Sequence, residues 1–262
     1  MADASPKFIS LGDGNEVLQV ALAAGDSILA NERAFVYRGL GLASEAQAVG
    51  AVGRAIGWIG FKSDRIVKFT NEGNGPTYLG LAAPFPGKVI PVHLQTSGTL
   101  LAKPSTFLAS ETSNTVSAAK IKLNPEGPFP QHFPQHSIEM RRLAGAGMCY
   151  IQGGGAAVQK ALGRGESMVV EFGCVAAVSE ACKIVAEERT GLIREPPYAQ
   201  GFAVKITGPG SVFIQSTHTG RLSRAGRASA QRASGGSEMM KVAVLTLVAM
   251  IALFSFLDWE EV

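Results

Sequence analysis

The chain repeats itself. Leu18–Leu29 (LQVALAAGDSIL) aligns with Val158–Val169 (VQKALGRGESMV) at a constant offset of 140 positions and without a gap. A second motif occurs three times, as Thr77-Tyr78-Leu79-Gly80, Cys149-Tyr150-Ile151-Gln152 and Val212-Phe213-Ile214-Gln215, each after a glycine-bearing turn. A weaker middle copy of the first motif lies around Val89–Leu94 and Gly98–Leu101. Units of about 65–70 residues are too small to bury an apolar face alone, so three of them are expected to close around a shared core.

The units read as strands. Apolar and polar residues alternate in short runs, β-branched and aromatic residues are frequent, and Gly or Pro separates the runs. Gly25-Asp26 and Gly165-Glu166 predict hairpin turns, between strands ending near Leu22 or Leu162 and strands starting near Ile28 or Met168. The 31 glycines and the low charged fraction of 17% agree with many tight turns. The expected fold is all-β, a pseudo-threefold β-sandwich or β-roll of three repeated units. It spans residues 10–217, after an N-terminal extension at 1–9. Two segments, Glu45–Ala55 and Glu180–Glu188, carry helical patterning.

A hydrophobic fraction of 46% excludes wholesale disorder, and a formal net charge of +3 is too mild to announce a nucleic-acid binder. Cys149, Cys174 and Cys182 cannot all pair within one chain, and no CxxC is present. They are expected to be buried thiols in a reducing compartment.

The C-terminal part has a different character. Residues 242–257 carry no charge, and Met239–Trp259 makes 21 residues. As a helix that is about 31 Å, enough to cross a bilayer with Lys241 snorkelling and Trp259 at the headgroups. We expect a single-pass anchor at 239–259; a buried or oligomer-facing helix is the alternative. Arg221, Arg224, Arg227, Arg232 and Lys241 precede the span, while Asp258, Glu260 and Glu261 follow it. This asymmetry keeps the body on the cytoplasmic or matrix side and sends the acidic tail, 260–262, across.

The Arg/Ser/Gly-rich stretch 218–238 is a linker by composition. It has three readings: a solvated tether, a strap on anionic headgroups worth about 1 kcal/mol per Arg, or an RNA phosphate contact. Thr246, Ala249 and Ala252 form a flank of small residues that suits close approach to another membrane helix, although alanine is also common in spans. The N-terminus, MADASPKF, shows neither a secretory signal nor a classical transit peptide.

Candidate chemistry is sparse. His132 and His136 stand at i and i+4, but Pro128, Pro130 and Pro134 exclude a helix there. An extended recognition or connecting loop is expected, not a metal site. Gly145-Ala146-Gly147 and Gly153–Gly155 are turn glycines, because no helix follows to complete a phosphate loop. Gly163-Arg164-Gly165-Glu166-Ser167 is not a nucleophile elbow, since its serine follows the last glycine. Gln152 and Gln215 belong either to outward strand faces or to a polar central axis. No catalytic, cofactor or metal residues are expected.

Four segments then fall in a recognisable order: Pro84–Pro91 (PFPGKVIP), Phe107–Glu111 (FLASE), Leu143–Gly147 (LAGAG) and Ile206–Ser216 (ITGPGSVFIQS). On these residues the chain resembles the AIM-twenty-four-like family (altered inheritance of mitochondria), whose fold is similar to that of the tryptophan RNA-binding attenuator protein. The resemblance implies an internally threefold β architecture, no established enzymatic activity, and an association with the mitochondrial inner membrane, cristae organisation and respiratory-complex assembly.

The expectation is a non-enzymatic, membrane-anchored scaffold or accessory subunit of a mitochondrial inner-membrane assembly, with its body in the matrix. Its partners would be lipids and a larger membrane complex, with no small-molecule substrate. Another organelle membrane, with the body cytosolic or stromal, is the alternative location. An RNA- or anionic-lipid-binding module tethered to a membrane is the alternative function, nucleic acid being the less expected partner.

Overall fold

A computed structural model describes residues 8–47, 65–123, 137–187 and 203–218. They form nineteen strands and almost no helix. After β1 (Phe8–Leu11), six strands recur three times. The first repeat holds β2 (Val17–Leu22), β3 (Ser27–Asn31), β4 (Phe35–Arg38), β5 (Leu42–Gln47), β6 (Ile66–Asn71) and β7 (Thr77–Leu81). The second holds β8 (Gly87–His93), β9 (Leu100–Ala102), β10 (Phe107–Glu111), β11 (Thr115–Lys122), β12 (Ser137–Ala144) and β13 (Met148–Gly154). The third holds β14 (Ala157–Leu162), β15 (Ser167–Glu171), β16 (Val175–Ser179), β17 (Lys183–Glu187), β18 (Ala203–Thr207) and β19 (Gly210–Gln215).

Pairing repeats with the strands. In each unit the sixth strand lies between the first and the third. The fifth lies between the second and the fourth. Each third strand carries its register shift at the same place, between Phe35 and Tyr37, Phe107 and Ala109, and Val175 and Ala177. Units are then joined edge to edge. β3 pairs with β10, and β9 pairs with β16, both antiparallel. The result is four sheets, ordered β1-β2-β7-β4, β5-β6-β3-β10-β13-β8, β11-β12-β9-β16-β19-β14 and β15-β18-β17.

The core follows from this order. Leu18, Leu22, Leu79 and Leu81 of the first sheet cluster with Ile28, Phe69 and Tyr150 of the second. Phe107, Cys149 and Ile151 of the second cluster with Leu100, Leu143 and Phe213 of the third. Leu101, Met140, Val178 and Val212 of the third cluster with Val170, Val204 and Ile206 of the fourth. The three units therefore do not share one core; three cores lie between four sheets. The middle strands of the two six-stranded sheets are covered on both faces, so β3, β9, β10, β13 and β16 are almost wholly buried without alternation, as in VAAVS of β16.

Three local expectations change. Gly25 (φ +84°) and Gly165 (φ +78°) do sit in turns with left-handed backbone. These turns do not make hairpins, because β2 and β3, or β14 and β15, belong to different sheets. Each turn carries the chain from one layer to the next and is clasped by a carboxylate. Asp26 Oδ2 accepts from Ala23 N at 2.9 Å, and Glu166 Oε2 accepts from Gly163 N at 2.8 Å.

The expected helix at Glu180–Glu188 is β17, which pairs residue by residue with β18. There, pairing with β18 overrides the helix preference of Ala and Glu. Glu45–Gln47 closes β5 as strand, and residues 48–55 lie outside the described residues.

The third change is one of register. Leu81, Ile151 and Ile214 occupy one position, opposite Phe35, Phe107 and Val175. The counterpart of Gln152 and Gln215 is therefore Ala82, two residues beyond the Gly80 of the sequence alignment. Leu81 pairs with Leu18 as Ile214 pairs with Val158, which preserves the offset of 140.

Among the described residues no helix is long and apolar enough to cross a membrane. The span read at 239–259, with Lys241, Thr246, Ala249, Ala252 and Trp259, lies outside them, as do Arg221, Arg224, Arg227, Arg232 and the His132/His136 loop.

Candidate functional site

Where β9 meets β16, a buried polar centre is assembled from two repeats. A polar residue stands at or just after the end of the second strand of every unit: Asn31, Lys103 and Glu171. The first two reach forward across a junction. Asn31 Nδ2 donates to the carbonyl oxygens of Pro104 (3.0 Å) and Phe107 (3.2 Å). Lys103 Nζ donates to the carbonyl oxygens of Phe172 and Gly173, the latter at 2.9 Å, and stands 4.2 Å from the centre of the Phe172 ring.

Glu171 closes the same centre from its own unit, its Oε1 lying 3.3 Å from His218 Nε2. Cys174 is buried beside them, and the carboxylate, thiol and imidazole atoms all lie within 4.8 Å of one another. Gly173 is required here, because a Cβ would fall 2.5–2.8 Å from the His218 ring.

Oxygen, sulfur and nitrogen donors of this kind suit zinc at about 2.0–2.3 Å. A metal at their centre would share the space with a buried ammonium, on which both Glu171 and Cys174 already act electrostatically. Two adjacent cations in a low-dielectric interior repel strongly. The geometry favours a centre built around the lysine.

Burial pushes Lys103 down to about 8, with Cys174 and Glu171 acting in the opposite direction. Below that value both folded and unfolded chains carry the proton. Between about 8 and the ordinary lysine range only the unfolded chain does, so stability from this group rises with pH there. Lys103→Met should cost about 1–2 kcal/mol near neutral pH, through the lost charged hydrogen bonds. Denaturant melts at several pH values should show a constant gap between parent and variant below pH 8 that widens above it. A gap independent of pH would contradict a buried, titrating lysine.

The thiols are no more exposed than expected: Cys149, Cys174 and Cys182 are all buried. Burial and nearby Glu111 push Cys149 up to about 12, and burial raises Cys182. Gln152 and Gln215 are neither outward-facing nor lining a polar axis; both are buried and tie strand ends together. Gln152 Oε1 accepts from Ala83 N (2.6 Å), and its Nε2 donates to Gly87 O (3.3 Å). Gln215 Oε1 accepts from Gly154 N (2.9 Å), and its Nε2 donates to Gly173 O (3.1 Å) at the edge of the lysine centre.

Sequence spacing misses this centre. Glu171 and Cys174 are close neighbours, but His218 and Lys103 arrive from far along the chain and from two repeats. Only alignment of the units, which places Asn31, Lys103 and Glu171 together, offers a signal. In the first unit the positions of Cys174 and His218 hold Ala34 and Phe85, so the fold alone does not require a polar centre.

The family model described as mitochondrial biogenesis AIM24 matches residues 8–217, the whole of the three-repeat body. The chain belongs to the AIM24 family. The match starts at the first residue of β1 and ends two residues after β19, so the AIM24 body and the described β domain coincide. A crystal structure of a protein from Streptococcus pyogenes is similar, with a TM-score of 0.66 and 18% identity, over 86% of this chain and 99% of that one. At that identity the likeness concerns the fold alone. No curated protein matches the chain.

Proposed function

We propose that this AIM24 protein is a non-enzymatic accessory subunit or scaffold, held at the matrix face of the mitochondrial inner membrane by a helix at 239–259. The supporting observation is the family match over 8–217, which connects the chain to mitochondrial biogenesis. In this reading the three repeats form a rigid platform. Arg221, Arg224, Arg227 and Arg232 lie against anionic headgroups, and the flank of Thr246, Ala249 and Ala252 packs on a membrane helix of a respiratory-chain or cristae-organising assembly. Buried cysteines fit a body that works by contact.

Truncation after Ser237 should release the protein from carbonate-washed membranes. Retention of the truncated chain would refute the anchor. Replacing Thr246, Ala249 and Ala252 with Leu should leave insertion intact while weakening co-purification with the assembly in mild detergent. Unchanged co-purification would reduce the helix to a tether.

A further inference from the structure

The repeat architecture makes one kind of junction twice and leaves its two halves open at the ends of the series. At both internal junctions the second strand of one unit pairs antiparallel with the third strand of the next. β3 meets β10 through Leu29↔Ser110, and β9 meets β16 through Leu101↔Val178. A third such junction would join β15 of the last unit to β4 of the first. It does not form within the chain: β15 pairs with β18 only, β4 with β7 only, and each is the edge of its sheet among the described residues.

Exposure marks the same two strands. Val169 of β15 is 56% exposed, whereas its counterparts Leu29 and Leu101 are 9% and 6% exposed. Phe35 and Val36 of β4 are 45% and 50% exposed, whereas Phe107, Leu108, Val175 and Ala176 in the same positions are at most 1%. Apolar residues that the internal junctions bury are thus present at both open edges, on strands with one ladder partner each among the described residues. Exposed apolar edges of this kind recruit another strand.

We propose that copies of this chain join head to tail, β15 of one copy pairing antiparallel with β4 of the next. The occupant of each edge is a second copy because each edge is the half-junction that the other completes. The internal ladders also fix the register. Ser110 and Val178 correspond to Arg38, and Leu29 and Leu101 to Val169, so Arg38 of one copy faces Val169 of the next. Joining the edges merges the four-stranded and three-stranded outer sheets into one sheet of the same strand order as the two internal ones, extended by β1. Each copy presents one edge of each type, so the contact is heterologous and builds a ring or a chain of copies. Glu171, the third residue of the Asn31–Lys103 series, is held by His218 in its own unit. The contact between copies therefore rests on the ladder and its apolar pairs.

The test uses the full chain in mild detergent. Light scattering should give a protein mass that is a multiple of 27.4 kDa. Val169→Lys or Val36→Lys, at exposed positions, should reduce it to 27.4 kDa with the thermal unfolding profile retained. Arg38→Cys on a tagged chain, mixed with Val169→Cys on an untagged one and oxidised, should yield a mixed disulfide dimer. Arg38→Cys paired with Ser167→Cys, off register, should not.

A monomeric parent chain that gives no mixed dimer overturns the proposal. So does an intrachain disulfide formed by a monomer carrying both Arg38→Cys and Val169→Cys, which would show closure within one chain. Association that survives both lysine substitutions overturns it as well.

Discussion

Phe107→Ala is expected to lower the unfolding free energy by about 3–5 kcal/mol, the usual cost of removing a fully buried phenyl ring. Phe107 is 1% exposed and lies in the middle core, packed between the two six-stranded sheets. Its strand, β10, is the seam between the first and second repeats. The cavity would open where neither sheet can collapse, because each is pinned by ladders on both sides of the seam. At about 2–4 °C per kcal/mol for a domain of this size, the midpoint should fall by on the order of 10 °C. A shift of 2–3 °C would mean that the ring is not part of a tight core.

Gly154→Ala should be the second severe change, at about 3 kcal/mol. Gly154 ends β13, where its N–H donates to Gln215 Oε1 at 2.9 Å and its carbonyl accepts from Thr217 N at 3.1 Å. An added Cβ would lie 2.1 Å from Thr217 O. That neighbour is backbone, so the clash moves the segment leading to His218 instead of rotating a side chain away. Gly165→Ala is the matched control: its φ of +78° strains any Cβ, but nothing lies within 4 Å. It should cost only about 1 kcal/mol. Urea midpoints at constant slope separate the two. Equal losses would show that the Thr217 segment yields to the added methyl group and that the contact is not tight.

Much of this architecture is readable before any coordinates. The gapless offset of 140 is retained in the ladders, since Leu18 and Val158 face Leu81 and Ile214. The strand ends at Leu22 and Leu162 are also legible, because Gly25 and Gly165 carry the chemistry that turns demand. What those turns connect is not legible. A glycine and a carboxylate specify a reversal locally, whereas the partner of each emerging strand lies in another unit or at the far end of its own. The same limit explains β17. KIVAE holds alanine and glutamate, and only pairing with β18 makes it a strand.

The lysine centre is hidden for a related reason. Its residues come from two repeats, and no local spacing joins Lys103 to His218. The interior glutamines look like surface residues because alternation assumes one wet face, and the strands that hold Gln152 and Gln215 have none.

The strand order has a consequence for how such a chain can change length. Every internal ladder joins a second strand to a third strand of the following unit, whatever the unit's number. A whole six-strand module inserted between two others would meet only edges of the kinds already there, and so would the removal of one. Loss of a second or third strand, by contrast, would leave the adjoining module without the partner its junction needs. Duplication of entire modules is therefore a route of growth that preserves every junction, and deletions that remove a second or third strand are the ones that break it.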